Sequence, residues 1–269
     1  MSNQVDPKLA LRFQDLVAKS IDEQCEFFLK SFIFALGDDW PEVVKLSTTF
    51  KKYLADSNRE GSQNELDEAQ AADFLQKNGK TRTATQRRDE IRDIDLDFNK
   101  LIAFIEYLLL HYKHLILSEY YKRHTELSVP AGYLDNQSIG ITGVGYALLE
   151  ELFEMPAGLS EELENAISEF YAQKRARENR LKDLEEKSDL VGVKGLQAKN
   201  ELAQMQSQDQ TEMNKLEMTL NAAKRKALKN PSGEQLLAQK KKQQEDEEKK
   251  KLEEGRLKMK DRASLWEKK

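Results

Sequence analysis

The run LIAFIEYLLLHYKHLI, residues 101–116, constrains the fold more than any other stretch. It is too long for an ordinary strand and has no internal turn signal, so its spacing predicts a helix buried on most sides. Other segments share the helical period. Leu9, Phe13, Leu16, Val17, Ile21, Phe28, Phe32 and Leu36 recur at helical steps up to Gly37. Trp40–Pro41 opens a further helix, with proline near its first turn. ELDEAQAADFLQK, TATQRRDEIRDI and YALLEELFEM read as shorter helices. The predicted fold class is all-α: an EF-hand-like helical core, then long antiparallel helices and a charged C-terminal helix.

The second half of the chain is more polar. Ser160 is a good N-cap for a helix running to about Ser188, although Leu163 stands where a capping box wants Glu or Gln. Gly192 and Gly195 interrupt before a second long helix, in which Met213, Leu216, Leu220, Ala223 and Ala227 step by heptad spacing. That pattern suits an antiparallel helix pair, within one chain or between chains. Asn230–Pro231–Ser232–Gly233 is a turn, and beyond it the sequence is almost pure charge until Leu257, Met259, Leu265 and Trp266. The expected organisation is a helical body over 1–124, a loop insertion with a short helix over 125–159, a long-helix hairpin over 160–230 and a charged tail over 231–269. Leu265 and Trp266 are expected to dock on the body or on a partner and so to regulate it.

Charge is segregated along the chain. Residues 171–269 carry 25 Lys or Arg against 18 Asp or Glu, whereas 1–170 carry 18 against 30. A basic second half suits an acidic partner. Cys25, the only cysteine, sits in an apolar run and points to no disulfide, and a reducing, intracellular setting is expected. No run is long enough for a membrane span. Acidic residues interleave throughout the basic half, against a nucleic-acid module. His111, His114 and His124 cluster without a cysteine or paired carboxylates to complete a zinc set, and GITGVG lacks a phosphate-loop register. No catalytic constellation is visible, and the chain is expected not to be an enzyme.

The residues before the apolar run have the spacing of a calcium loop. Asp95, Asp97 and Asn99 would supply positions 1, 3 and 5, Leu101 a carbonyl at 7, and Glu106 the closing carboxylate at 12, with Ala103 at 9. Lys100 stands where such loops want glycine. A positive φ costs a lysine about 1 kcal/mol, and its charge weakens a cation site. Calcium is therefore a possible but weak ligand. Asp56, Asn58, Glu60 and Gly61, closed by Asp67, imitate a partner loop upstream.

Two motifs carry a family resemblance. Phe104, Glu106, Tyr107, Leu108, Leu109, Tyr112 and Lys113 fill an F-x-EYLL-x-x-YK run. Gly192, Val193, Lys194, Gly195, Leu196, Ala198, Asn200, Leu202, Ala203 and Gln204 fill a GVKGL…A-x-N-x-LAQ segment. Together with Leu265–Trp266 near the end, they resemble the calcium-regulated 34 kDa actin-bundling family of protists. The resemblance implies side binding to actin filaments, bundling, negative regulation by calcium and a place in the cytoplasmic actin cytoskeleton. It also implies that the main actin-binding segment lies around 185–230. Over residues 171–230, Lys174, Arg175, Arg177, Arg180, Lys194, Lys199, Lys224, Arg225 and Lys226 lie on and around the two long helices and are the candidate filament contacts. Bundling needs either two sites on one chain or a homodimer, and the sequence leaves both open. The other class of reading is an EF-hand-like scaffold or calcium sensor with a helical protein partner.

Overall fold

A computed structural model describes residues 7–57, 64–78, 83–129, 145–155 and 159–229. The insertion over 130–144 and the tail from 230 onward, with Leu265 and Trp266, lie outside the described residues.

The first long apolar segment is two helices, not one. α1 (Pro7–Val17) and α2 (Ile21–Leu36) part at Ser20, whose side chain accepts from Glu23 N while the Glu23 carboxylate returns to Ser20 N. That capping box satisfies donors a new helix would otherwise leave bare. Gln24, fully buried, secures the break. Its amide nitrogen donates to Val17 O and Lys19 O, each at 2.9 Å, and its oxygen accepts from Ile105 N at 2.9 Å. One side chain thus ties the α1–α2 corner to a helix far along the chain.

α2 is the central element, in contact with most of the others. α3 (Trp40–Asp56) starts with Pro41 in its first turn, as expected. A short strand β1 (Glu65–Asp67) leads into α4 (Glu68–Asn78), and α5 (Ala84–Ile94) is capped by Thr83 and Gln86. The apolar run 101–116 does not begin as helix. Leu101–Ala103 forms β2, antiparallel to β1, and only then do α6 (Phe104–His111) and α7 (Lys113–Arg123) follow, parted at Tyr112. α2 packs against α3, α6 and α7, against α8 (Gly145–Glu154) and against α9 (Glu161–Ser188).

Aromatic rings fill the space between α3, α4 and α6. Phe50 lies 5.1 Å from Phe74 and 5.0 Å from Phe104, and Phe74 lies 5.0 Å from Tyr107, in tilted or edge-on geometries that favour the ring quadrupoles. α9 adds Leu163, Ile167, Phe170 and Tyr171 to the same core. It ends at Ser188 as its sequence predicts, and α10 (Val193–Lys229) returns along it. Gly192 turns the chain at φ 104°. Gly195 is there because a Cβ would stand 1.8 Å from Leu190 O. The heptad face of α10 meets the core as expected, Leu220 fully and Met213, Leu216, Ala223 and Ala227 in part. The fold is all-α with a single two-stranded pair among the described residues.

Candidate functional site

Two regions could carry function: the acidic loop before β2 and the basic helix pair α9–α10. The loop begins where α5 stops, at Asp95. Asp95 Oδ2 accepts from Lys100 N at 3.0 Å, Asp97 Oδ1 from Asn99 N at 3.2 Å, and Asn99 Oδ1 from Leu101 N at 2.6 Å. These bonds fold the backbone tightly around the acidic side chains. Lys100 has φ 64°, the left-handed conformation its position demands, and Phe98 has φ 60° with its ring exposed.

Glu106 closes the loop. Its carboxylate is buried and accepts from Leu96 N and Ala103 N, both at 2.8 Å. Burial pushes its pKa well above the usual value, against those two donors, with Asp97 and Asp95 adding like charge. Burial likewise raises Asp97, and the charges of Glu65 and Asp95 reinforce it. Asp95, Asp97 and Glu106 can each direct one oxygen to a common point, with those oxygens within 4.8 Å of one another, and Asp95 Oδ1 is buried without a donor. The donor set suits a hard divalent cation. It is also short of one, because both Glu106 oxygens hold backbone N–H groups and the Asn99 oxygen holds Leu101 N, while calcium takes six to eight oxygens.

Asn58, Glu60 and Gly61 of the expected partner loop lie outside the described residues, and Asp67 at its end belongs to the strand pair. Leu66 pairs with Ile102, and Glu65 and Asp67 with Ala103 and Leu101. Gln70 follows Leu66 by four residues, as Glu106 follows Ile102. Gln70 Oε1 accepts from Asp67 N at 2.9 Å, as Glu106 accepts from Ala103 N. A glutamine at the closing position carries no charge toward a cation.

The basic candidates separate into two groups. Lys174 is buried and contacts Asp22 at 2.8 Å and Glu178 at 2.7 Å, and Lys51 joins both carboxylates from α3. Arg175 meets Glu26 at 3.0 Å. Arg177 meets Glu212 at 3.0 Å and Met205 O at 2.9 Å, and Arg180 meets Glu201. Lys224 is buried, 2.6 Å from Gly37 O and 2.8 Å from Asp38, and Lys226 pairs with Glu162 at 2.7 Å. Lys194, Lys199 and Arg225 are exposed, with no hydrogen bond or ion pair to a described residue. Six of the nine thus face carboxylates of their own chain. Sequence reasoning missed Asp22, Lys51, Glu178 and the Trp40–Asn221 hydrogen bond of 2.9 Å. Asp22 offered the only local signal, a charge inside an apolar run.

At the tip between α9 and α10, Leu190, Val191, Val193 and Leu196 are exposed around Lys194. The pair is long and is joined to the body along α9 and the C-terminal half of α10.

No curated protein matches the chain. Among solved structures, a 34 kDa F-actin bundling protein from Dictyostelium discoideum aligns over 90% of this chain and 99% of its own, at 20% identity and a TM-score of 0.43. The model of the family described as F actin bundling C terminal matches residues 114–256, from α7 through all of α9 and α10. That is more than half of the chain, and the chain belongs to this F-actin bundling family.

Proposed function

We propose that this protein binds the sides of actin filaments and gathers them into bundles, in the cytoplasmic actin cytoskeleton and without catalysing a reaction. The match over 114–256 carries the reading, because it takes in the whole α9–α10 pair. Charge supports it: filaments are acidic, and Lys194, Lys199 and Arg225 are exposed without a hydrogen bond or ion pair to a described residue, Arg225 adding only its charge near Asp38. Lys174 and Lys224 are structural in this state, and Arg175, Arg177, Arg180 and Lys226 reach a filament only by exchanging one carboxylate for another. Such exchange steers association more than it fixes affinity. Among the described residues no helix is long and apolar enough to cross a membrane.

Sedimentation with actin filaments tests the proposal. The chain is expected to pellet with filaments at high speed, and filaments are expected to pellet at low speed only when the chain is present. Filaments left in the supernatant at low speed, with no chain in either pellet, overturn it. The mass of the chain in solution then separates a two-site monomer from a homodimer.

The finer proposal for the acidic loop is an EF-hand-like pair whose calcium affinity is weak or lost. Its supports are the strand pairing of Leu66 with Ile102, the closing roles of Gln70 and Glu106, and the left-handed Lys100. Asp95, Asp97, Asn99 and Glu106, with the Leu101 carbonyl, would hold the ion. The loop keeps its shape through its own backbone bonds, so shape alone does not require metal.

A further inference from the structure

The turn that joins α9 to α10 carries an apolar knob. Ten large hydrophobic side chains are exposed among the described residues, and four of them, Leu190, Val191, Val193 and Leu196, fall within seven positions. Such crowding differs from the single apolar residues scattered over any surface. The knob is also held in shape. Gly192 takes φ 104°, and Gly195 lets the chain pass against Leu190 O. Leu190 N donates to Lys187 O and Leu196 N to Gly192 O, each at 3.2 Å. A knob ordered in advance loses little freedom when it is covered.

Charge divides at the knob. On the α9 side, residues 182–189 hold Lys182 and Lys187 against Asp183, Glu185, Glu186 and Asp189, a net of −2. On the α10 side, residues 193–200 hold Lys194 and Lys199 and no acidic residue, a net of +2. Glu185, Glu186, Asp189, Lys194 and Lys199 are all exposed. An acidic filament or an anionic lipid surface laid over the knob would meet like charge on the α9 side. A second copy turned by 180° would not, because the basic flank of each then lies against the acidic flank of the other.

We propose that the knob is a self-association site, at which two copies of the chain meet tip to tip about a two-fold axis. Leu190, Val191, Val193 and Leu196 form its apolar centre, and Lys194 and Lys199 face Glu185, Glu186 and Asp189 of the second copy. The four side chains offer on the order of 500 Å², less than the ~800 Å² that each partner gives to a standard interface, so the dimer is weak and reversible. Joined this way, two copies carry two α9–α10 pairs in one particle. Arg225 and the exchangeable Arg175, Arg177, Arg180 and Lys226 are then left to meet filaments.

The contact does not depend on filament binding, and its test is made without actin. The full chain carries Val191→Cys, and a short bis-maleimide is added. Cys25 stays silent because it is fully buried, and burial pushes its thiol up to about 12. Two chains are expected to link through residue 191 about tenfold faster than through Thr48→Cys, an exposed site on α3. In the Val191→Cys chain, Lys194→Glu/Lys199→Glu makes both flanks acidic and Glu186→Lys/Asp189→Lys makes both basic. Each set alone should slow linking about tenfold, and mixing the two should restore it. Equal rates at 191 and 48, or a mixture no faster than either set alone, overturn the proposal. Linking that appears only after residues 257–269 are removed gives the knob to the tail and overturns it too. So does a chain that stays monomeric yet loses filament pelleting on Val193→Asp/Leu196→Asp, which gives the knob to the filament.

Discussion

Helices α2, α3, α4 and α6 meet through Phe28, Phe50, Phe74, Phe104 and Tyr107, all essentially removed from solvent, whereas α10 offers only Leu220 and Ala198 as buried apolar side chains. Met213, Leu216, Ala223 and Ala227 pack on the core only in part, and polar contacts supply much of what joins α10 to its surroundings: Lys224 to Gly37 O and Asp38, Asn221 to Trp40, Lys226 to Glu162, Glu212 to Arg177 and Glu201 to Arg180. Burial of rings is not weakened by ionic screening, whereas exposed ion pairs are screened by salt and are individually worth little. The body is thus specified by packing, and α10 by a thinner apolar face together with ion pairs, most of them exposed. A helix held that way is suited to trade internal carboxylates for those of an acidic partner. α9 stands between the two, aromatic on one side and ionic on the other.

The largest way to break this comparison is Phe170→Ala. Phe170 is buried, with its ring 5.5 Å from Trp40 in an edge-on contact, so removing it leaves a cavity where α9 meets α3. The expected loss is about 3–5 kcal/mol, read from the urea midpoint at constant slope. A loss below about 1 kcal/mol would mean that α9 is docked by its ions and not by its rings.

Lys174→Met comes next and probes the ionic side of the same helix. It leaves Asp22 buried with Lys51 as its remaining partner, so the loss should be about 2 kcal/mol, below the ~3–5 kcal/mol of a buried charge stripped of all support. The same network sets an acid limit. Burial alone would raise Asp22, but the charge and hydrogen bond of Lys174, and then those of Lys51, outweigh it and hold the carboxyl below its ordinary 3.8. A depressed carboxyl stabilises the fold above its unfolded pKa and loses that contribution as pH falls through the folded one. Stability contributed by Asp22 should therefore be constant at neutral pH and fall below about pH 4. Lys174→Met should flatten that fall, and an unchanged acid profile would remove Asp22 from the account.

Features set by neighbouring residues were legible in the sequence: Pro41 in the first turn of α3, Ser160 before α9, the end of α9 at Ser188, and the heptad face of α10. The corner at Ser20 was also written locally, in Ser20 and Glu23, but the apolar spacing runs through it and conceals it. β2 was hidden because Leu101–Ala103 has no alternation of its own. It becomes a strand only by pairing with Leu66 and its neighbours, and that register depends on residues far away. The basic candidates show the same limit. Lys174 and Asp22 are 152 positions apart, so no local rule could tell a filament contact from an internal ion pair.

Lys100, like Phe98 two residues before it, has a conformation that packing does not explain, and it carries the smallest expected effect. The residue is exposed, yet its backbone is left-handed because Lys100 N must reach Asp95 Oδ2. Glycine adopts that φ without the steric cost, although it gives the unfolded chain more freedom, so Lys100→Gly should stabilise by about 0.5–1 kcal/mol. It also removes a positive charge beside Asp95, Asp97 and Glu106. Calcium titrated into the variant should bind more tightly than into the parent, and the thermal midpoint should gain more from calcium in the variant. A higher midpoint with no change in calcium response would assign the loop a purely structural role, with Glu106 held by Leu96 N and Ala103 N as its closing contact. An unchanged midpoint would show that the bond to Asp95 already offsets the strain at Lys100.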